Sequence, residues 1–510
     1  MLAMNEIELG DDFAARNNLE TFMAYSCMTS ASEFLSVSFY SSDITGTIYQ
    51  PSEIVLQCKK VFKNIIAYDK FDFDGKKESM YALRPAFDTV ADMIGKGKKV
   101  PESLLEIFAQ NPEYAAKLDS LINAKDKVPF KIFDKKNAEK LFGKNLNISA
   151  SQLEKFNLCR FSYFCNYGLN VRERQRAEIN PMQYGTIVHY ILERFFGEYT
   201  KEEYLSLEED KFQKIVCAYL AEYAVKYFGE EQLESNSFTY RLKTILDNVM
   251  YLMKHIMEEL SQSEFFVADC ELKIGEDIPS YTIVLPDGHK IAVCGSVDRV
   301  DIMQRAEITY LRIIDYKTGT KQFKLSDILY GINLQMLLYL HSIEASGGDK
   351  YGEIVPAGIL YMPATVPYIS SDSLKSIDKL PDELNKKLKM NGLLLKDTEI
   401  IHGMDKTDVA TYIPVKIKAG EPVSSTSLAT LAEFGKIFKK VDMLIAEMGK
   451  NIYNGNIEAN PLKGGHDSCE YCPYDSVCAY RQSNPITCFS VDNKTVIEEI
   501  TNEINGKEEE

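Results

Sequence analysis

The most informative stretch of this 510-residue sequence places two acidic residues and a lysine on neighbouring predicted strands. Asp298 and Asp315 each lie beside an apolar run, and the connection between the two runs is short enough for a hairpin. Carboxylates that face each other repel, and a hard divalent cation with oxygen ligands relieves that repulsion. Lys317 follows Asp315 by two residues, so on a strand its side chain points to the same face. Metal ion, water and ammonium together can hydrolyse a phosphodiester.

Two pairs of residues on predicted helices could complete this site. His189 and Glu193 are four residues apart and share one helix face, so His189 is a candidate metal ligand that Glu193 could orient. Gln335 and Tyr339 have the same spacing on an otherwise apolar helix, as the wall of a site would require. The structural alternative is a surface hairpin with ordinary ion pairs and a helix histidine satisfied in the core.

Three cysteines near the C-terminus have the spacing of metal ligands. Cys469, Cys472 and Cys478 supply three thiols within ten residues, and a tetrahedral site needs a fourth. Cys159 is the first candidate for this fourth ligand and Cys165 the second. Four thiolates suit zinc and an iron–sulfur cluster equally well, and the alternative is a set of buried, reduced cysteines.

These motifs resemble those of the PD-(D/E)xK nuclease superfamily, in its RecB/AddB-like branch. The resemblance implies an α/β fold with a restriction-endonuclease-like core, in which helices flank a mixed sheet. It also implies a DNA nuclease of the exonuclease type that depends on Mg²⁺ or Mn²⁺. The metal ligands carried over are His189, Asp298 and Asp315, with Glu271 as a possible acid on the first core strand. Lys317 would be the catalytic lysine, and Gln335 and Tyr339 would support the site.

The cysteine pattern resembles the iron staple of AddB-type nucleases, in which one cysteine precedes the nuclease core and three follow it. The resemblance implies a [4Fe–4S] cluster on Cys159, Cys469, Cys472 and Cys478. Such a cluster would clamp the two ends of the nuclease domain together without any redox role.

The resemblance to AddB (RexB) proteins covers most of the chain and implies its domain organisation. Residues 1–145 would be a partial helicase-like α/β or linker region, residues 146–482 the nuclease domain and residues 483–510 an acidic flexible tail. Residue patterns predict a strand over 34–40, where apolar and small polar side chains alternate, and one long helix over 211–260. No Gly-x₄-Gly-Lys-[Ser/Thr] motif is found, so we expect no ATP hydrolysis by this chain. Translocation would come from a partner similar to the AddA helicase–nuclease protein, in a heterodimer that processes double-strand breaks for recombinational repair.

The charge balance restricts how DNA could bind. With 58 Lys and Arg against 75 Asp and Glu, the net charge of −17 repels nucleic acid, so DNA binding requires a local basic path. Arginines just before the predicted catalytic helix are the first candidates, and lysines near residue 390 form a second group. Either group could instead be ordinary solvated charge. The two groups are Arg160, Arg172, Arg174 and Arg176, and Lys386, Lys387, Lys389 and Lys396.

The sequence contains neither an export signal nor a long enough apolar run to span a membrane. The acidic N-terminus does not resemble an export signal, and the longest uncharged apolar run, Ile328–Ile343, has 16 residues. A membrane-spanning helix needs about 20, so we expect a cytoplasmic protein with no membrane partner.

One alternative function is that of a stand-alone exonuclease similar to the iron–sulfur nucleases of CRISPR adaptation, although the N-terminal extension and an insert over 364–450 argue against it. The other is a catalytically idle DNA-binding scaffold, although the acids and the lysine are all retained.

Overall fold

The computed structural model of this chain describes residues 13–41, 48–63, 65, 81–95, 98–123, 131–171, 181–229, 236–319, 322–367, 380–424, 426–478, 480 and 485–508. The chain divides into two compact units, residues 1–128 and residues 129–510. Each unit has its own hydrophobic core.

The regular secondary structure that the structure describes in the first unit is helical. Its helices are α1 (Phe13–Thr29), α2 (Glu53–Val61), α3 (Leu83–Gly95), α4 (Glu102–Gln110) and α5 (Ala115–Asn123). A small core forms where Phe87, Phe108 and Tyr114 pack against one another. The strand predicted over 34–40 is wrong, because these residues are exposed and pair with no described strand.

The second unit begins earlier than the predicted domain boundary at residue 145. Its first helix packs against the long helix Leu431–Tyr453 and buries Ala138, so residues 129–145 belong to this unit. The helices are α6 (Lys135–Phe142), α7 (Ala150–Leu158), α8 (Arg160–Tyr163), α9 (Pro181–Glu198), α10 (Lys201–Leu205), α11 (Glu209–Phe228), α12 (Asn236–Ser261), α13 (Gln335–Ser346), α14 (Gly348–Tyr351), α15 (Leu380–Leu388), α16 (Thr398–Met404), α17 (Leu431–Tyr453) and α18 (Asn493–Glu508). A π-helical turn (Phe164–Gly168) and a 3₁₀ helix (Leu325–Tyr330) complete the helical elements.

A mixed six-stranded sheet forms the centre of the second unit. The strands of this unit are β1 (Asn145–Ile148), β2 (Phe266–Ile274), β3 (Thr282–Val284), β4 (Lys290–Val293), β5 (Gly295–Arg305), β6 (Ile308–Lys317), β7 (Glu353–Pro363), β8 (Asn391–Leu395), β9 (Lys416–Lys418), β10 (Glu421–Val423), β11 (Leu428–Ala429), β12 (Leu462–Gly464) and β13 (Ile486–Cys488). The strand order in the central sheet is β11-β8-β7-β6-β5-β2. β6 and β7 are parallel, and so are β8 and β11, whereas the other neighbouring pairs are antiparallel. A smaller sheet has the order β1-β4-β3, and the pairs β9–β10 and β12–β13 form two-stranded sheets. This arrangement confirms the predicted mixed α/β fold with flanking helices.

Local sequence signals account for the helix ends near the site. Ser149 accepts a hydrogen bond from the backbone N–H of Gln152 at the start of α7, as a helix N-cap does. Thr430 and Glu433 form a reciprocal capping box that begins α17. The single helix predicted over 211–260 is two helices, because α11 ends at Gly229, whose φ of +79° suits glycine.

The C-terminal segment is not the flexible tail that its polar composition predicts. Residues 493–508 form α18, which packs against α17 and the 3₁₀ helix. Val496 and Ile500 are fully buried, and Glu503 pairs with the buried Lys440 of α17. The apolar residues lie four apart, so they form one helix face that this composition conceals.

None of the helices in the described parts of the chain is both long and apolar enough to cross a membrane.

Candidate active site

The β5–β6 hairpin brings Asp298 and Asp315 side by side. Arg299 pairs with Ile314 across the hairpin, so the next pair along this antiparallel ladder is Asp298 and Asp315. Only Ala306 and Glu307 separate the two strands, which confirms the predicted short connection. Asp298 lies near the start of β5 and Asp315 near the end of β6.

The environment of Asp298 opposes its negative charge. Burial and the neighbouring Asp315 carboxylate raise the pKa of Asp298 to about 7, although His189 and a backbone hydrogen bond act in the opposite direction. That hydrogen bond is donated by the backbone N–H of Tyr316 to Asp298 Oδ2 at 2.9 Å. A cation beside these carboxylates would favour the ionised form.

Asp315 and Lys317 form an ion pair at the end of β6, on the face that their two-residue spacing predicts. Lys317 Nζ lies 2.5 Å from Asp315 Oδ2. Gln335, at the start of α13, donates a hydrogen bond to Asp315 Oδ1 at 3.1 Å. Asp315 is buried, whereas about a quarter of the Lys317 side chain is exposed (27%), so an incoming phosphate can reach the ammonium.

His189 projects from α9 towards two carboxylates. Its Nδ1 lies 2.9 Å from Glu271 Oε1, and its Nε2 lies 3.7 Å from Asp298 Oδ2. Burial acts to lower the pKa of His189, but the hydrogen bond with Glu271 and the charge of Asp298 outweigh it, and the net shift is upward. Glu193, the partner suggested by helix spacing, is exposed, and the partner that the structure gives His189 is Glu271.

Glu271 has an unusual backbone conformation for a strand residue. Its φ is +50° in the middle of β2, between residues that pair regularly with β5. A non-glycine residue in this region is strained by about 1–3 kcal/mol, and such strain is concentrated at functional sites. The second oxygen of Glu271 accepts a hydrogen bond from Ser296 Oγ at 2.8 Å, so both carboxylate oxygens have partners.

Three of these side chains are suitable ligands for a divalent metal ion. His189, Glu271 and Asp298 each offer one ligand atom, and these atoms all lie within 4.8 Å of one another. Carboxylate oxygens with one imidazole nitrogen suit Mg²⁺ or Mn²⁺. Asp315, predicted as the third ligand, lies beside this group, where it contacts Lys317 and Gln335.

Tyr339 supports the site from α13, four residues after Gln335. Burial raises its pKa to about 12, and it packs against the first residue of β5. A Cβ atom at Gly295 would lie 2.2 Å from the Tyr339 hydroxyl oxygen, so only glycine allows this approach. The close contact fixes the strand that carries Asp298 relative to the helix that carries Gln335.

The structure brings cysteines from both ends of the nuclease region into one cluster. Cys159 and Cys165 pack with Cys472 and Cys478 around aromatic side chains, among them Tyr474. Burial raises the pKa of the Cys159 thiol, and the nearby Cys472 adds to this effect. Both sequence candidates for the fourth ligand therefore lie beside the C-terminal cysteines, and thiolates are the donors that zinc and iron–sulfur clusters prefer. Among the described residues, no three of these sulfur atoms lie within 4.8 Å of one another.

The third member of the C-terminal motif adjoins this group. Cys469 and Cys472 share a tight turn, with the backbone N–H of Cys472 donating to the Cys469 carbonyl at 3.2 Å. Burial raises the pKa of Tyr480, and the charges of Cys469 and Cys159 add to this effect.

The predicted DNA path is only partly within the described residues. Arg160 lies 3.6 Å from Glu447 and stacks on Phe156, so its charge is already paired. Of the lysines, Lys389 donates to two backbone carbonyls and is structural. Arg172, Arg174 and Arg176 lie outside the described residues.

Comparison with known proteins gives the same classification as the geometry. The PD-(D/E)XK nuclease superfamily matches residues 147–479, which include every side chain of the site. Two similar proteins are each named as the B subunit of an ATP-dependent helicase/deoxyribonuclease. The one from Thermoanaerobacter sp. (strain X514) is 31% identical over 505 residues, which cover 94% of this chain and 43% of that protein. The one from Clostridium kluyveri (strain NBRC 12016) is 31% identical over 538 residues, which cover 100% of this chain and 46% of that protein. The chain thus spans less than half the length of these relatives, and it belongs to the PD-(D/E)XK nuclease superfamily.

Proposed function

We propose that this chain is a Mg²⁺- or Mn²⁺-dependent deoxyribonuclease of the exonuclease type. The observation that carries the proposal is the juxtaposition of Asp298, Asp315 and Lys317 at one end of the β5–β6 hairpin, with His189 and Glu271 beside them. A catalytically idle scaffold would not need the strained Glu271 backbone or the paired lysine.

Each side chain has a definite task in this proposal. His189, Glu271 and Asp298 would hold the metal ion, with Asp315 next to them. A bound divalent ion would supply Lewis-acid polarisation of the phosphate and a water of lowered pKa. The Lys317 ammonium, released from Asp315 when phosphate enters, would offset phosphate charge and orient the attacking water. Gln335 holds the Asp315 carboxylate in place.

The names of the relatives support a biological role for this chain. Their names describe parts of an ATP-dependent helicase/deoxyribonuclease, so we propose that this chain acts on DNA ends with a motor protein similar to AddA. Processing of double-strand breaks for recombinational repair is the role proposed for this pair. Because the chain lacks a phosphate-binding loop motif, the ATP hydrolysis is assigned to that partner.

We further propose a structural [4Fe–4S] cluster on Cys159, Cys469, Cys472 and Cys478. The proximity of Cys159 to Cys472, more than 300 residues later in the chain, supports a shared ligand set. A cluster there would connect the beginning of the nuclease region to its end.

The activity is tested with Lys317→Ala and Asp315→Asn in the purified chain, on linear single- and double-stranded DNA with Mg²⁺. Each change should lower the rate of cleavage at least about a thousandfold, equivalent to about 4 kcal/mol of transition-state stabilisation. Lys324→Ala, which removes an exposed lysine seven residues away, is the matched control and should keep the parental rate. Equal rates for Lys317→Ala and Lys324→Ala would contradict the assignment, and no cleavage by the parent would favour the scaffold.

A further inference from the structure

Four charged side chains form a closed ring inside the protein, next to the candidate active site. Glu259 of α12, Arg299 and Asp301 of β5, and Arg312 of β6 are all 0% exposed. Arg299 donates to Glu259 at 3.2 Å and to Asp301 at 2.9 Å. Arg312 donates to the other oxygen of Glu259 at 2.6 Å and to Asp301 at 3.0 Å. Each acid therefore bridges both arginines.

This ring is an inefficient way to stabilise a fold. Its two positive and two negative charges balance, but each has lost its hydration, and replacing such groups with well-packed apolar residues is often neutral or stabilising. Within the described residues, Arg299 Nε and Asp301 Oδ1 also have no hydrogen-bond partner, which adds to the desolvation penalty. Stability alone therefore does not explain the ring.

Tyr316 connects the ring of charged side chains to the candidate active site. Arg299 Nη1 donates to the Tyr316 hydroxyl at 3.2 Å, and the guanidinium also lies 5.9 Å from the centre of the Tyr316 ring. The backbone N–H of Tyr316 is the donor to Asp298 Oδ2. The rings of His189 and Tyr316 also meet edge to face, with ring centres 5.9 Å apart.

Strand geometry explains why the ring of charged side chains and the carboxylates of the candidate active site lie on opposite faces of the sheet. Asp298 and Arg299 are consecutive on β5 and project to opposite faces of the sheet, as do Asp315 and Tyr316 on β6. The charges of the ring thus fix the back of the hairpin while the carboxylates remain on the other face.

We propose that the ring formed by Glu259, Arg299, Asp301 and Arg312 is a positioning device for the metal site. It holds the Tyr316 side chain, and through the Tyr316 backbone it sets the position of the Asp298 carboxylate. The inference rests on the proposed function, because the carboxylate that it positions is a proposed metal ligand. Residues that orient metal ligands typically change metal affinity or activity about 10–100-fold when they are replaced.

The test uses Arg299→Lys in the full chain, which keeps one positive charge but removes the fork that reaches Tyr316 and both acids. Calorimetry with Mn²⁺ alone should show the dissociation constant raised about 10–100-fold. On DNA with saturating Mn²⁺, kcat should fall while KM for DNA stays unchanged. Tyr316→Phe, which removes only the hydroxyl, should shift the Mn²⁺ dissociation constant in the same direction by a smaller factor.

Ile500→Ala is the control for a purely structural effect. It leaves a cavity at a fully buried position of α18, so it should lower the melting temperature and leave Mn²⁺ affinity unchanged. If Arg299→Lys likewise lowers only the melting temperature, the positioning role is wrong. If Arg299→Lys does not fold, parental Mn²⁺ affinity in Tyr316→Phe overturns the role. A parent chain that neither binds Mn²⁺ nor cuts DNA would instead overturn the proposed function, and the positioning role with it.

Discussion

At the scale of single residues, the partner of His189 determines how the imidazole faces the site. His189 donates a hydrogen bond from Nδ1 to Glu271, and its Nε2 is therefore directed at Asp298. Nε2 is the nitrogen that would bind a metal ion. Glu193, one helical turn after His189, is exposed. The two glutamates therefore provide a matched comparison, because the sequence suggests Glu193 as the partner of His189 and the structure gives Glu271.

We predict that Glu271→Gln weakens Mn²⁺ binding by about tenfold or more, since it removes both the charge that orients His189 and a ligand oxygen. Isothermal titration calorimetry on the metal-free protein measures the change. Glu193→Gln should leave the affinity at the parental value. If Glu271→Gln and Glu193→Gln have equal effects on Mn²⁺ affinity, Glu271 is not the residue that orients His189.

A buried histidine on α13 makes the stability of the fold depend on pH. His341 donates a hydrogen bond to Asp442 at 3.0 Å and stacks on Phe438. Burial acts to lower its pKa, but the hydrogen bond to Asp442 and the nearby Glu344 carboxylate outweigh it and raise the pKa from 6.5 to about 9.

The sign of the pH effect follows from this upward shift. The protonated histidine is favoured in the folded state, so its contribution is complete below pH 6.5 and is lost as the pH rises through about 9. Between pH 6.5 and 9 the melting temperature of the parent should fall more steeply than that of His341→Gln. His402→Gln, at an exposed histidine, should keep the parental slope. If the melting temperatures of the parent and His341→Gln fall equally between pH 6.5 and 9, the prediction is wrong.

At the scale of elements, α18 converts an apparently polar tail into part of the core. Its buried face carries Val496, Ile500 and Ile504, and the pair of Lys440 with Glu503 joins it to α17. Because α17 also packs against α13, which carries Gln335, the helix supports the layer behind the active site.

We predict that Ile500→Ala lowers the free energy of unfolding by about 2–4 kcal/mol, as expected when a fully buried isoleucine leaves a cavity. Chemical denaturation followed by circular dichroism measures the change. Glu499→Ala, at the exposed neighbouring position, should change the free energy by less than about 0.5 kcal/mol. A flexible tail would give the same small value for both variants.

At the scale of the whole molecule, the proposed cluster closes a loop of more than 300 residues. A cross-link over so long a loop stabilises a fold by about 6 kcal/mol in the chain-entropy model, a large part of the roughly 5–15 kcal/mol that stabilises a domain. The carboxylates lie on other elements, so the clamp affects them through the fold and not by direct contact.

We predict that protein purified without oxygen is brown and contains about four irons per chain, as a [4Fe–4S] cluster requires. Cys472→Ala should lose the colour, melt at a lower temperature and lose DNA cleavage together. Cys217→Ala, on α11, should retain all three properties. Stoichiometric zinc without iron would contradict the cluster but keep the clamp, and freely alkylated thiols in the native protein would contradict both.

Short-range pattern was enough to predict the centre of the site. Two acidic residues on strands joined by a short turn, with a lysine two residues after the second, define a face because side chains alternate along a strand. Asp298, Asp315 and Lys317 therefore meet as predicted, and Gln335 lies beside them. The spacing of Cys469, Cys472 and Cys478 predicts a ligand set, and that set stays a prediction.

The remaining features depend on contacts between residues far apart in the sequence. Glu271 meets His189 because its backbone adopts a positive φ, which no local pattern encodes. The buried charges of Arg299 and Arg312 resemble surface charges in the sequence, and only the packing of α12 against the hairpin supplies their partner Glu259. Sequence periodicity identifies the face on which a side chain lies, whereas the element that covers this face is determined by the tertiary fold.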